Sequence, residues 1–322
     1  MKRRALLIAA GGAVLARPVV GQGFAPDRPI RVVVPYPPGG VTDLVGRVVA
    51  DGLRDRHGWA TVVENKPGAN GQIGMGEIVR TRADGHSLLI GGFGSHVLPP
   101  ALAASFPFDV PRDFTVIAKV AEFVNVMVVN PQSLASTPAE FVAQAKARPG
   151  ELNYGSSGIG ASNHLTAELF SLEAGITMTH VPARGAPASI LALRQGDIHV
   201  IFENLPAVRG QIGDGALKPL AVTSGYRSRF LPNVPTLAES GFPNIQVASW
   251  IALYGPPRMA AAVRETLSAA TVAIAQSDTG RERLERVGFE VRPLAAEAAE
   301  QFQNEELARW REVVRRANIQ PS

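Results

Sequence analysis

Apolar, β-branched runs alternate with segments of helical period along most of the chain, which confines it to α/β folds with helices laid over mainly parallel sheets. The runs that read as strands are 30–34, 61–64, 87–90, 115–120, 124–129, 177–181, 198–202, 217–222 and 247–253. Helix patterns lie between many of them. Thr42 to Arg56 puts Leu44, Val45, Val48, Val49 and Leu53 on one face and Arg47, Asp51 and Arg54 on the other. Thr137, Pro138 and Glu140 form a capping box with proline at the first helical position. Thr236 to Gly241 repeats that logic as a short helix stopped by its glycine.

A chain of 322 residues has room for two cores. Phe114 to Asn130 and Val247 to Tyr254 are long, apolar and extended, and they bracket a middle block with its own strand–helix pattern. They read as crossings between a discontinuous first domain, 23–123 with 247–322, and an inserted second domain, 124–246. The stripe Phe302, Leu307, Trp310 and Val314 returns a C-terminal helix to the first domain.

The first 22 residues carry Lys2, Arg3 and Arg4, then an apolar run from Ala5 to Ala16, then small residues suited to cleavage near Gly21 or Gln22. This is the pattern of an export signal, too short to span a bilayer. Arg3-Arg4 leaves the general secretory and twin-arginine routes both open. Lys2, Arg3, Arg4 and Arg17 account for the whole formal charge of +4, so the mature chain is balanced and nucleic-acid binding loses its main support. The chain has no cysteine, which excludes thiol catalysis and zinc–thiolate sites. The expected product is a periplasmic protein without disulfides, cofactor or metal.

Five strand ends run through Gly, Ser, Asn or Thr into helix starts: Val32 to Asp43, Glu64 to Gly74, Gly91 to His96, Asn153 to Leu165 and Val181 to Ser189. In open α/β sheets ligands lie beyond such strand ends, where free N–H groups and the positive helix terminus attract anions. "VVVPYPPGGVTD", "ENKPGANGQIG", "GSSGIGASNHL", "VPARGAPA" and "LAVTSGYRSRFLPNVPTLAESGFP" resemble, in order, the blocks of the tripartite tricarboxylate transporter solute receptors, the Bug family of periplasmic binding proteins.

That resemblance implies a two-domain clamshell of the type II periplasmic-binding-protein kind, each domain a sheet flanked by helices. It also implies closure on a small carboxylated solute and delivery to membrane permease subunits, with the carboxylate held by main-chain amides, hydroxyls and waters near 36–43 and 156–162. The family usually has a bulky residue where this chain has Ala183, and often a Gly-Thr-Pro turn where it has Arg258-Met259-Ala260. The first difference could widen the pocket; the second is local.

The candidate ligand contacts are Tyr36, Pro38, Gly39, Gly40, Thr42, Asp43, Asn70 and Ser95 on one side and Ser156, Ser157, Asn163, Arg184 and Glu203 on the other. Asp43 is repulsive to an anion unless it points away or meets an amine. Arg184 offers either a carboxylate fork or a surface ion pair. A dicarboxylate, an amino acid or an aromatic acid would each satisfy such a site, on a chain acting as a monomer. Two other functions stay open: a serine hydrolase using Ser156 or Ser157 with His164, and a sensor presenting its liganded form to a signalling kinase. Against catalysis, Ile159 breaks the G-x-S-x-G pattern, and the six histidines lack metal spacing.

Overall fold

The computed structural model describes residues 24–103 and 105–316; the segment read above as an export signal lies outside the described residues. In chain order the elements are β1 (Ile30–Val34), α1 (Val41–His57), β2 (Thr61–Asn65), α2 (Gln72–Val79), β3 (Ser87–Gly92), α3 (Leu98–Leu102), α4 (Val110–Asp113) and β4 (Thr115–Val129). There follow α5 (Pro138–Ala147), β5 (Asn153–Ser156), α6 (Ser162–Ala174), β6 (Thr179–Pro182), α7 (Ala186–Gln195), β7 (Val200–Asn204), α8 (Leu205–Gly213) and β8 (Lys218–Val222). The chain then returns through β9 (Ala248–Gly255), α9 (Ala261–Gln276), α10 (Asp278–Arg286), β10 (Leu294–Ala295) and α11 (Ala296–Arg316).

The strands form one mixed, continuous sheet in the order β2-β1-β3-β9-β4-β7-β5-β6, with β8 and β10 also pairing with β4. The outer pairs are parallel, as the strand–helix alternation demands. Every pair that involves β4 or β9 is antiparallel. β4 holds the sheet together: Thr115 to Val124 pair with β9, and the residues from Asn125 onward pair with β7 and β8.

Apolar side chains fill both faces. One cluster runs from Met75 and Phe93 through Trp250 and Trp310 to Phe170 and Phe202. A second lies under α1 and α9, where Val45, Val48, Val49 and Leu53 meet Ile274 and Leu253. The third is covered by α7 and α8 around Ile190, Leu193 and Val208.

Several expectations need correction. Runs 115–120 and 124–129 are one strand, because Ala121 to Phe123 keep their pairing with β9. β5 and β10 were not expected as strands; β5 holds Gly155 and two polar residues, and β10 is two residues long. Thr236 to Gly241 makes one turn rather than a helix: Glu239 and Thr236 cap each other reciprocally, but Gly241 at φ 96° ends the turn at once. On α1, Leu44 is only half-buried while Asp43 is buried, and on α11 Val313 rather than Val314 faces the core.

Candidate functional site

A cavity of about 650 Å³ opens beyond the C-terminal ends of β1, β3 and β5. Tyr36, Thr42 and Ser95 line it from one side, Ser157 to Ser162 from the other, and Ser249 to Ile251 of β9 with Phe123 of β4 lie between. Four helices have their first residue in this lining: α1 at Val41, α2 at Gln72, α3 at Leu98 and α6 at Ser162. Val41 and Thr42 open α1, Ala161 and Ser162 open α6, and neither N-terminus has a side-chain cap. The first-turn N–H groups of an uncapped helix carry partial positive charge and accept an anion readily.

The proline–glycine loop before α1 is built differently from its sequence reading. Gly39 has φ 86° and so requires glycine, whereas Gly40 at φ −78° does not. The Gly39 N–H donates to Asp43 Oδ2 at 2.9 Å, as does Arg47 Nε at 2.9 Å, while Asn65 Nδ2 donates to Oδ1 at 2.9 Å. Burial alone would raise the Asp43 pKa, but these donors outweigh it and hold the carboxyl below its usual range. Asp43 therefore fastens the loop, and the Gly39 amide is turned inward. Pro38, Gly39 and Gly40 are exposed and lie off the cavity lining.

Tyr36 lies beside Ser95 in the cavity wall, and burial raises its phenol above the usual range against that hydrogen bond. The Ser95 hydroxyl is buried 2.8 Å from His96 Nδ1, accepts from the Gly92 N–H at 3.2 Å, and fixes the turn that follows β3. Asn70 falls within the single turn Ala69–Gly71.

Opposite, Glu203 is fully buried. Its Oε2 accepts from Ser157 Oγ at 3.0 Å and Asn163 Nδ2 at 2.8 Å, and its Oε1 from the Asn204 N–H at 2.9 Å. Burial raises its pKa, and the three hydrogen bonds oppose the rise. Asn163 Oδ1 accepts from the Ser157 N–H at 3.2 Å, so Glu203 and Asn163 stand behind the loop and Ser157 faces the cavity. Ser156 is buried, with its Oγ 2.7 Å from His180 Nε2, not paired with His164. His164 Nδ1 instead accepts from the Gly160 N–H at 3.1 Å. Arg184 is exposed, off the lining, and has no ion pair among the described residues. No group of three or more His, Asp or Glu among the described residues could hold a metal ion.

The sequence reading missed two donors. Ser249 Oγ and Trp250 Nε1 are buried, belong to cavity-lining residues, and have no hydrogen-bond partner among the described residues. Their signal was two polar-capable side chains inside the otherwise apolar run 247–253. It also missed the wall made by Leu98, Pro99, Leu102, Ser105, Phe106 and Pro107, whose Phe106 packs edge-on against Phe108 at 5.6 Å.

Residues 45–319 match the family described as tripartite tricarboxylate transporter family receptor. The chain belongs to that family. This receptor is 36% identical over 252 residues to Protein BugT of Bordetella pertussis, an alignment covering 78% of this chain and 76% of BugT. Among solved structures, the R. palustris protein Rpa4515 with adipate has a TM-score of 0.79 and 31% identity, covering 92% of this chain and 99% of that one. MatC from Rhodopseudomonas palustris with bound malate has a TM-score of 0.74 and 27% identity, covering 90% and 100%. The receptor is thus a solute-binding protein of the Bug type, with an α/β fold shared with periplasmic binding proteins.

Proposed function

We propose that this receptor works in the periplasm, binding a small carboxylate in the cavity and handing it to the membrane permease subunits of a tripartite transporter. The observation that carries the reading is the convergence of the uncapped N-termini of α1 and α6 on one cavity, with Ser249 and Trp250, whose buried donors are unpartnered, among the residues of its wall. Relatives solved with adipate and malate support a carboxylate. Against the hydrolase alternative, Ser156 and His180 pair off the cavity lining, and Ser157 is held by Glu203 and Asn163 without a histidine.

The same reading divides the chain into two lobes, 23–123 with 247–322 and 124–246, hinged where β4 and β9 pass between them near Phe123 and Val247. Ligand contacts then come from both lobes, and binding favours the closed form. Mass spectrometry of the solute released on denaturing the purified protein tests the reading. An intact carboxylate is the expected result; a hydrolysed product, or reproducible recovery of only a cationic solute, would overturn it.

A further inference from the structure

We propose that His164 and His180 are positioning residues for the ligand: as a stacked neutral pair they hold the cavity loop 157–161 in its binding shape, and protonation of His164 lets that loop go. The inference rests on the carboxylate-receptor reading above and adds an acid-triggered release to it.

The loop has little of its own to fix it. Ser157, Gly158, Ile159, Gly160 and Ala161 all line the cavity. The glycines carry no side chain and Ile159 is 57% exposed, so the order of the stretch comes from hydrogen bonds to groups behind it. The Gly160 N–H donates to His164 Nδ1 at 3.1 Å. The Gly158 N–H donates to Ser156 Oγ at 3.2 Å, and that oxygen is 2.7 Å from His180 Nε2. Both glycine amides therefore end on one histidine pair, one directly and one through Ser156.

The two histidines come from different elements. His164 is the third residue of α6 and is buried, His180 lies in β6, and their ring centres are stacked 4.2 Å apart. Two titratable groups face the pair. Tyr154 of β5 lies with its ring centre 4.7 Å from that of His180 and 6.3 Å from that of His164. Glu168 of α6 has its Oε1 3.9 Å from His164 Nε2 and accepts from the Tyr154 hydroxyl. Burial disfavours a charge on either ring, and two imidazolium ions in one stack would repel each other, so both histidines titrate below the ordinary range.

Nδ1 of His164 accepts only while it is unprotonated. A proton there turns the acceptor into a donor aimed at the Gly160 N–H, and the loop loses that tie. The positive charge gained is met by Glu168 rather than by a ligand, because His164 stands behind the lining and not in it. The held loop favours the neutral ring, and binding needs the held loop. By linkage, affinity is full above the ordinary histidine pKa and falls as the pH drops below it.

Calorimetry with adipate across pH 7.5 to 5, on three forms of the full receptor, tests this. His164→Phe keeps a ring for the stack and removes the acceptor, whereas His164→Asn puts a non-titrating Oδ1 near the place of Nδ1. At neutral pH His164→Phe is expected to bind about tenfold more weakly than the parent, and His164→Asn to regain most of that loss. On going to acid the parent is expected to lose at least about fivefold more affinity than His164→Asn, a comparison from which the titration of adipate itself cancels. Parallel pH profiles for these two, or His164→Phe binding as the parent does, would overturn the inference. The comparison of parent with His164→Asn decides even where His164→Phe does not fold.

Hydrogen exchange of amides 157–161 without ligand reads the hold by itself. Protection kept in His164→Asn and lost in His164→Phe is expected, and equal protection in the two overturns the inference whatever the receptor binds. A parent protein that binds neither adipate nor malate while that protection pattern holds would overturn the receptor reading and leave the loop's anchorage standing.

Discussion

The Gly39 N–H points at Asp43 Oδ2 across 2.9 Å, so the loop before α1 is closed by its own helix. Only Gly39, at φ 86°, lies in the left-handed region; a Cβ on Gly40 would meet nothing nearer than the Pro37 oxygen at 3.8 Å. Gly39→Ala should therefore lower stability by about 1–2 kcal/mol, and Gly40→Ala by less than about 0.5 kcal/mol. Urea denaturation of the two variants checks the ranking. Equal losses would show that the strain is not where the backbone places it.

Gly92 and Trp250 set the floor of the cavity by close approach of β3 to β9. A Cβ on Gly92 would lie 2.2 Å from the Trp250 carbonyl oxygen, and its φ of 147° is open to glycine almost alone. Gly92→Ala should cost at least about 3 kcal/mol, the upper end for a residue forced into that region, because the clash is with backbone and cannot be relieved by a rotamer. A urea midpoint within the error of the parent protein would sink this prediction.

Stability should fall with acid through buried histidines. His96, stacked on Tyr254 at 3.9 Å, is pushed down to about 3 by burial, and His180 down to about 4 by burial and by the neighbouring His164. In the unfolded chain both titrate near pH 6.5, so below that pH the unfolded state binds protons the folded state refuses. The contribution is complete above about pH 6.5 and shrinks as pH falls toward the depressed values. For His96 alone the loss between pH 7.5 and 5 is about 2 kcal/mol. Denaturation midpoints across that range check it: His96→Phe should flatten the slope, whatever it does to the stability at pH 7.5.

The fold was legible because its periodicities are local, and much of the site was not because its partners are distant in sequence. The apolar stretch 114–130 announced β4, and the helix from Thr42 was correct to within a residue at each end. The short helix at Thr236 failed because its capping signal is real but Gly241 leaves no length to propagate. Asp43 reads as a candidate ligand contact in the sequence because nothing in its neighbourhood names Asn65, 22 residues away. Glu203 and Asn163, 40 residues apart, hold Ser157 from behind, a role that becomes visible only once β7 lies beside β5. Ser249 and Trp250 were hidden for the opposite reason: a crossing strand reads as scaffold, and only the pairing of Phe123 with Ser249 brings that strand to the cavity.

Ser249 separates binding from folding. Its hydroxyl is buried and has no partner among the described residues, so the fold bears its desolvation without a compensating bond. An unmet buried hydroxyl costs about 1–3 kcal/mol, and replacing it by a methyl removes that cost with almost no change in volume. Ser249→Ala should therefore leave the ligand-free protein as stable as the parent or more so, by up to about 1 kcal/mol. Toward a carboxylate the sign reverses, because a hydrogen bond to a charged group contributes about 1.5–3 kcal/mol, and its loss weakens affinity by about tenfold or more. Thermal melts without ligand and calorimetry with adipate read the two effects on one sample. A structural serine would lower the melting temperature and leave affinity alone, and that pattern would remove Ser249 from the site.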